Sequence, residues 1–334
     1  MRQLTLGLVL TFLVSTGLMA DAPAKVATTT AGNDIQILTV DNTDGKITPK
    51  TIEAIFEKAG FFINDNRDMV KPFIKNFKTV DFDVYNLFTI FKKDAVLKLA
   101  KKYPKIGLFS PMSMSIYSKK GTKTISISSL STAAMAKIMG IPVDDTDMVA
   151  YGKLVEDTLK VALPNAKVEG VSYGMQALKG DAVYHTALMM DKDADWEETK
   201  DDFQMNFEGA LAPAKFIMAG FNDLNYDFEE AKYEGYNFYD VYSICNIEVI
   251  YTVSKLHPEA GAFAPCSLYM YNKKDSNTIE MGFPTVYNWI AKMDIKDKAS
   301  IDILMFAQNK MEEILGKLTD VKKVLTEAPK ATKK

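Results

Sequence analysis

Cysteine, histidine and tryptophan are scarce, with two of each in 334 residues. The two cysteines, Cys245 and Cys266, and the two histidines, His185 and His257, form no Cys-x-x-Cys or His-x-x-x-His spacing, so the sequence offers no metal site and names no cofactor. A Gly-rich phosphate loop is missing as well. The serines of Ser126–Ser131 have neither a nearby histidine nor a Gly-x-Ser-x-Gly setting, which removes the support for a hydrolase. An excess of positive charge is absent too: the net charge is -3 with both signs interspersed, so a nucleic-acid partner is not expected. The acidic run Asp191–Asp202 begins like a calcium loop, but Trp196 stands where the turn needs Gly and Asp202 where a bidentate Glu is needed. It reads as a solvated linker.

With 47% hydrophobic and 25% charged residues the chain is globular, and its length predicts about two domains. Residues 1–20 differ from the rest: Arg2, then an apolar run, then Ala20 before Asp21-Ala22-Pro23. That pattern predicts a signal peptide cleaved after Ala20, hence a periplasmic or secreted protein with no stable membrane span after cleavage. No cysteine lies there for a lipid anchor.

A repeat dominates the remainder of the chain. Tyr103–Lys120, YPKIGLFSPMSMSIYSKK, and His257–Lys274, HPEAGAFAPCSLYMYNKK, superpose without a gap at a shift of 154 positions, aligning Pro104 with Pro258, Gly107 with Gly261 and Pro111 with Pro265. Over 101–120 against 255–274, nine of twenty positions are identical, where chance gives about one.

Thr48-Pro49 is a helix start, and Ile52, Ile55 and Phe56 before Gly60 predict a helix over 49–59. Residues 65–79, with Pro72 and no clear period, read as a loop or short helix. Strands are expected over 80–91, 108–117 and 123–128, the last two as a hairpin through Gly121, and an amphipathic helix over 147–163. The second copy repeats this grammar: strand-like runs over 168–190, a helix carrying Phe203, Phe207 and Leu211, a strand over 236–245, a short helix, a hairpin, and a long helix over 300–318. The expected architecture is therefore α+β: two repeated sandwich domains, 24–163 and 168–318, each a mostly antiparallel sheet with helices on one face. Two such folds pack as an internal pseudo-dimer about a pseudo-twofold axis. Residues 319–334 read as a disordered basic tail.

Tyr242-Ser243-Ile244-Cys245-Asn246, together with the run from Gly261 through Pro265-Cys266 to Tyr271, resembles the DUF302 family, a domain of unknown function. Members typically show Cys-Asn at a strand end, a helix, then Gly, an apolar stretch and Pro-Cys leading into a strand that ends in Tyr. The resemblance implies an α+β domain in each copy and a tendency to dimerise, and no established reaction. In the first copy Phe91 and Met112 replace the two cysteines, so thiol chemistry would belong to the second copy.

Four residues are candidates for ligand binding or redox work: Cys245, Cys266, Asn246 and His257. Asn246 is the expected N-cap of the helix after Cys245, and a thiol beside a helix N-terminus feels a dipole that favours thiolate. Three readings of the cysteines stay open: a structural disulfide, two thiols that merely pack, or a reactive or ligand-binding pair. His257 reads as a solvated helix-end residue, and His185 lies mid-strand. Two functions fit these residues: a binding module for a small molecule or a protein partner, with a Tyr-, Phe- and Met-lined groove between the domains, or a thiol-dependent redox or cofactor-binding protein.

Overall fold

A computed structural model of the chain describes residues 34–170 and 177–323. The expected signal peptide and the end of the basic tail lie outside the described residues. The first set of elements is β1 (Ile35–Asp41), α1 (Pro49–Lys58), β2 (Phe62–Asp68), α2 (Val70–Phe77), β3 (Phe82–Phe91), α3 (Lys93–Lys102), a 3-10 segment Pro104–Phe109, β4 (Met112–Lys119), β5 (Thr124–Leu130), α4 (Thr132–Met139), α5 (Thr146–Ala162) and β6 (Lys167–Gly170). The second is β7 (Val183–Met189), α6 (Trp196–Leu211), β8 (Ile217–Asp223), α7 (Leu224–Glu230), β9 (Tyr236–Cys245), α8 (Ile247–Ser254), a 3-10 segment Pro258–Ala262, β10 (Cys266–Lys273), β11 (Thr278–Pro284), α9 (Val286–Lys292), α10 (Lys298–Leu318) and β12 (Val321–Lys323).

These elements build two six-stranded sheets, ordered β2-β3-β4-β5-β1-β6 and β8-β9-β10-β11-β7-β12. All pairings are antiparallel, and the protein is a mixed α+β fold. The strand order of one sheet is that of the other.

Local chemistry explains where elements start. Thr48 caps α1, accepting from the Thr51 amide, with Pro49 at the first position where no N–H is needed. Pro72 does not prevent α2, because it sits in the first turn, whose amides have no helical partner. The Asp191–Asp202 run is only partly linker: Asp195 caps α6 by accepting from the Glu197 amide, and Glu197 and Glu198 lie in its first turn, favourable to the helix dipole. Val168, expected to open the second copy, pairs with Leu38 of β1 instead and extends the first sheet. Likewise Val321–Lys323, expected in the tail, pairs with β7.

Period-two alternation assigns the faces of β10. Leu268 and Met270 enter a core with Phe207 and Leu315, contributed by α6 and α10, whereas Tyr269 and Tyr271 enter a larger core shared with residues of the first sheet. That second face is closed by the other half's 3-10 segment. Tyr239 Oη donates to Pro104 O and accepts from Gly107 N at 2.8 Å, while Tyr85 Oη donates to Pro258 O at 3.1 Å. Ser113 Oγ donates to Pro265 O at 3.0 Å and Ser267 Oγ to Pro111 O at 3.3 Å. The two tyrosine–proline bonds are counterparts at the 154-position shift, and so are the two serine–proline bonds. The approach is close: a Cβ on Gly107 would lie 2.6 Å from Tyr239 Oη, and one on Gly261 would lie 2.4 Å from Ser115 Cβ.

The aromatic groove expected between the halves is closed by this packing. Tyr85, Tyr239 and Tyr269 are each 0% exposed and belong to the shared core.

Candidate ligand cavity beside Cys245 and Cys266

β9 ends at Cys245 because Asn246 turns the chain into α8. Its backbone is extended, and its Oδ1 accepts from the amides of Glu248 at 3.0 Å and Val249 at 3.3 Å. A short amide side chain that satisfies two orphan helix donors competes with the strand ladder and stops it. Cys245 thereby occupies the last rung, opposite Ile217 of β8. Cys266 opens β10 just after the cis Ala264–Pro265 bond and lies opposite Ile244.

Both cysteines are free thiols. The residue across from Cys266 is Ile244, so the two cysteines are one rung out of register and do not form the facing pair that a cross-strand bridge uses. That corrects the disulfide expectation.

The thiolate expectation is corrected as well. Burial pushes the Cys245 thiol up to about 12, with the Arg67 charge pulling it back only in part. Burial also pushes Cys266 up to about 12, and the nearby Cys245 adds to it. Desolvation outweighs the helix N-terminus here, since the Glu248 and Val249 amides are already committed to Asn246. The Cys266 thiol donates to Phe263 O at 3.4 Å.

Cys245, Cys266 and Asn246 line one apolar cavity of about 60 Å³. Ile244 and Leu268 of the sheet line it, as do Val249 and Ile250 of α8, Trp289 of α9, and Leu304, Gln308 and Met311 of α10. Gln308 is 1% exposed and engaged at both ends, accepting from Val286 N at 3.0 Å and donating to Glu312 Oε1 at 2.7 Å. Trp289 stacks on Phe263 with centroids 5.4 Å apart. Two of the lining residues carry buried donors without a partner, Asn246 Nδ2 and Trp289 Nε1, neither of them open to the cavity.

His257 does not join this group. It precedes the second 3-10 segment, with Nδ1 3.5 Å from Glu259 Oε1 and Nε2 3.9 Å from Asp297 Oδ2, off the cavity wall and mostly shielded from solvent. His185 is buried on β7, with Nε2 2.8 Å from Glu280 Oε2. Among the described residues no group of three or more His, Cys, Asp or Glu side chains could hold a metal ion.

Trp289, Gln308 and Met311 escaped the sequence reading because they come from helices some twenty to forty-five residues past Cys266 and belong to no local motif. A signal did exist in the alignment at 154 positions. Phe91 and Met112 fill the places of Cys245 and Cys266 in the first half and are 2% and 1% exposed. Exchange of large side chains for small ones at two neighbouring core positions removes the atoms that would occupy the space.

The fold and cavity define a mixed α+β protein with an apolar hollow walled by a sheet and three helices. No protein-family model matches the chain, and no curated protein matches it. Among solved structures it is similar to an uncharacterized conserved DUF302 protein from Bacillus stearothermophilus, at 18% identity and a TM-score of 0.33, over 40% of this chain and 98% of that one.

Proposed function

We propose that the chain is a binding protein for a small apolar molecule, with the site in its second half. The observation that carries this reading is the cavity beside Cys245 and Cys266, whose wall holds no charged side chain. Ligand sites are concave and mainly apolar with a few placed polar groups, and a dry apolar void accepts xenon or small hydrocarbons. The test transplants the first half's side chains. Wild type should give a saturable 129Xe chemical-shift response, and the double variant Cys245→Phe/Cys266→Met should lose it while staying folded. An equal response in both proteins sinks the proposal.

A second reading, thiol chemistry, draws on the two thiols sharing one cavity. Their raised pKa speaks against a resting thiolate. Ligand binding unchanged in Cys245→Ser/Cys266→Ser would remove it.

The surrounding architecture is part of the proposal. The chain is an exported tandem repeat of DUF302-like units forming an internal pseudo-dimer, a reading supported by the matched strand orders and by the reciprocal bonds from Tyr85 and Tyr239. Among the described residues no helix is long and apolar enough to cross a membrane. Mass spectrometry of the mature protein from the native envelope tests cleavage after Ala20, and a retained N-terminus would overturn export by that route.

A further inference from the structure

Among the described residues each sheet has two outer strands, β2 and β6 in the first, β8 and β12 in the second. An outer strand shows a row of unpaired amides and carbonyls, and proteins blunt such edges by keeping them short or by placing charges on them. β6 and β12 are four and three residues long. β2 is seven residues long but carries Asp65, Arg67 and Asp68, with the Arg67 guanidinium 2.8 Å from Asp65 Oδ2.

β8 has neither safeguard. It is also seven residues long, IMAGFND, and its single charge is the terminal Asp223. No residue of β8 is buried, and Ile217, Met218 and Phe221 are 40%, 46% and 44% exposed. One side of the strand pairs with β9, and among the described residues no strand pairs with the other. The ladder to β9 is bulged at Ala219, whose carbonyl accepts from Arg67 Nη2 at 3.2 Å, so the edge stays open on either side of that point.

We infer that this edge is the contact by which two copies of the chain associate, with β8 antiparallel to β8 of the second copy. What the edge fits is an extended segment with open backbone groups, apolar side chains and no charge. β8 of a second copy is such a segment. From Ile217 to Asn222 the strand meets itself without like charges facing one another, and antiparallel pairing sends the two Asp223 carboxylates to opposite ends of the contact. A twofold pairing also closes both exposed edges at once, whereas a foreign strand closes one. The inference goes beyond the proposed ligand role and stands whatever fills the cavity.

Analytical ultracentrifugation of the intact chain from about 1 to about 500 μM tests it, and wild type should pass from monomer to dimer within that range. Met218→Lys and Ile217→Lys each put a charge on the edge and should weaken dimerisation about tenfold or more. Val161→Lys, at a 65% exposed apolar site on α5, should dimerise as wild type does. Thermal unfolding at high dilution reports that each variant is folded. A wild type that stays monomeric over the whole range, or edge variants that dimerise as wild type does, overturns the inference. So does a monomeric wild type that takes up a synthetic peptide of the β8 sequence, which would assign the edge to a foreign strand. The xenon response reports on the cavity separately.

Discussion

Tyr85 and Tyr239 occupy matching places in β3 and β9, and each gives its hydroxyl to the proline carbonyl that opens the opposite half's 3-10 segment. Neither ring is exposed. Replacing Tyr239 by Phe takes this donor from the Pro104 carbonyl and its acceptor from the Gly107 amide, whereas after Tyr85→Phe the Pro258 carbonyl still accepts from Ser115 Oγ at 3.1 Å. Tyr239→Phe should lower stability by about 1–3 kcal/mol and Tyr85→Phe by about 0.5–1.5 kcal/mol in urea unfolding. A loss below about 0.5 kcal/mol in both would show that the clasp is not held by these bonds.

Gly107 and Gly261 meet the facing sheet with no room for a methyl group. Gly107→Ala and Gly261→Ala should destabilise by about 1–3 kcal/mol through overpacking. Gly209, in α6 with nothing within 4 Å of an added Cβ, is the control: Gly209→Ala should stabilise by about 0.5–1 kcal/mol. Thermal unfolding of the three variants separates a steric effect from a general intolerance of substitution.

Asp240 is 0% exposed on β9, with Lys200 at 2.9 Å and Gln204 at 3.0 Å. Burial pushes its carboxyl up to about 6, more than Lys200 pulls it down. A folded-state value above the unfolded one means that ionisation opposes folding. The penalty is absent below about pH 4, grows up to about pH 6 and is complete above it, reaching roughly 2–3 kcal/mol. Asn86 holds the matching position in the first half, so an amide fits this fold. Asp240→Asn should therefore gain stability on wild type as pH rises from 4 to 7. Parallel stability curves for the two proteins would contradict it.

Alkylation of Cys245 and Cys266 should be slow at pH 7 in the folded protein and rise about tenfold per pH unit with no plateau before pH 10, because thiolate is the reactive form and both thiols titrate near 12. Iodoacetamide rates read by mass spectrometry check this. A plateau near pH 8 would mean that the thiols are more solvated than their place on the cavity wall implies.

Features written in neighbouring residues were legible in the sequence. Thr48-Pro49 starts α1, Asn246 caps α8, and the hairpins and antiparallel sheets lie where β-branched and aromatic runs with turn residues put them. Misreadings came where distant contacts decide. Val168 is apolar in either sheet, and only pairing with Leu38 settles which one it joins. At Cys245 the local signal, a helix N-terminus, and the tertiary one, burial, act in opposite directions, and desolvation is the larger. The cavity was visible only as a difference between the halves, in Phe91 and Met112 against Cys245 and Cys266, and its far wall was not visible at all.

Because each 3-10 segment is seated on the opposite sheet, a substitution at Gly107, Tyr85 or Ser113 is judged by groups 132, 173 or 152 positions away in the chain. The clasp ties the two gene segments to a common fate. The cavity beside Cys245 draws its wall from both cores, Val249, Ile250 and Trp289 from the shared one and Leu268 and Met311 from the other, so a molecule filling it would bear on that constraint as well.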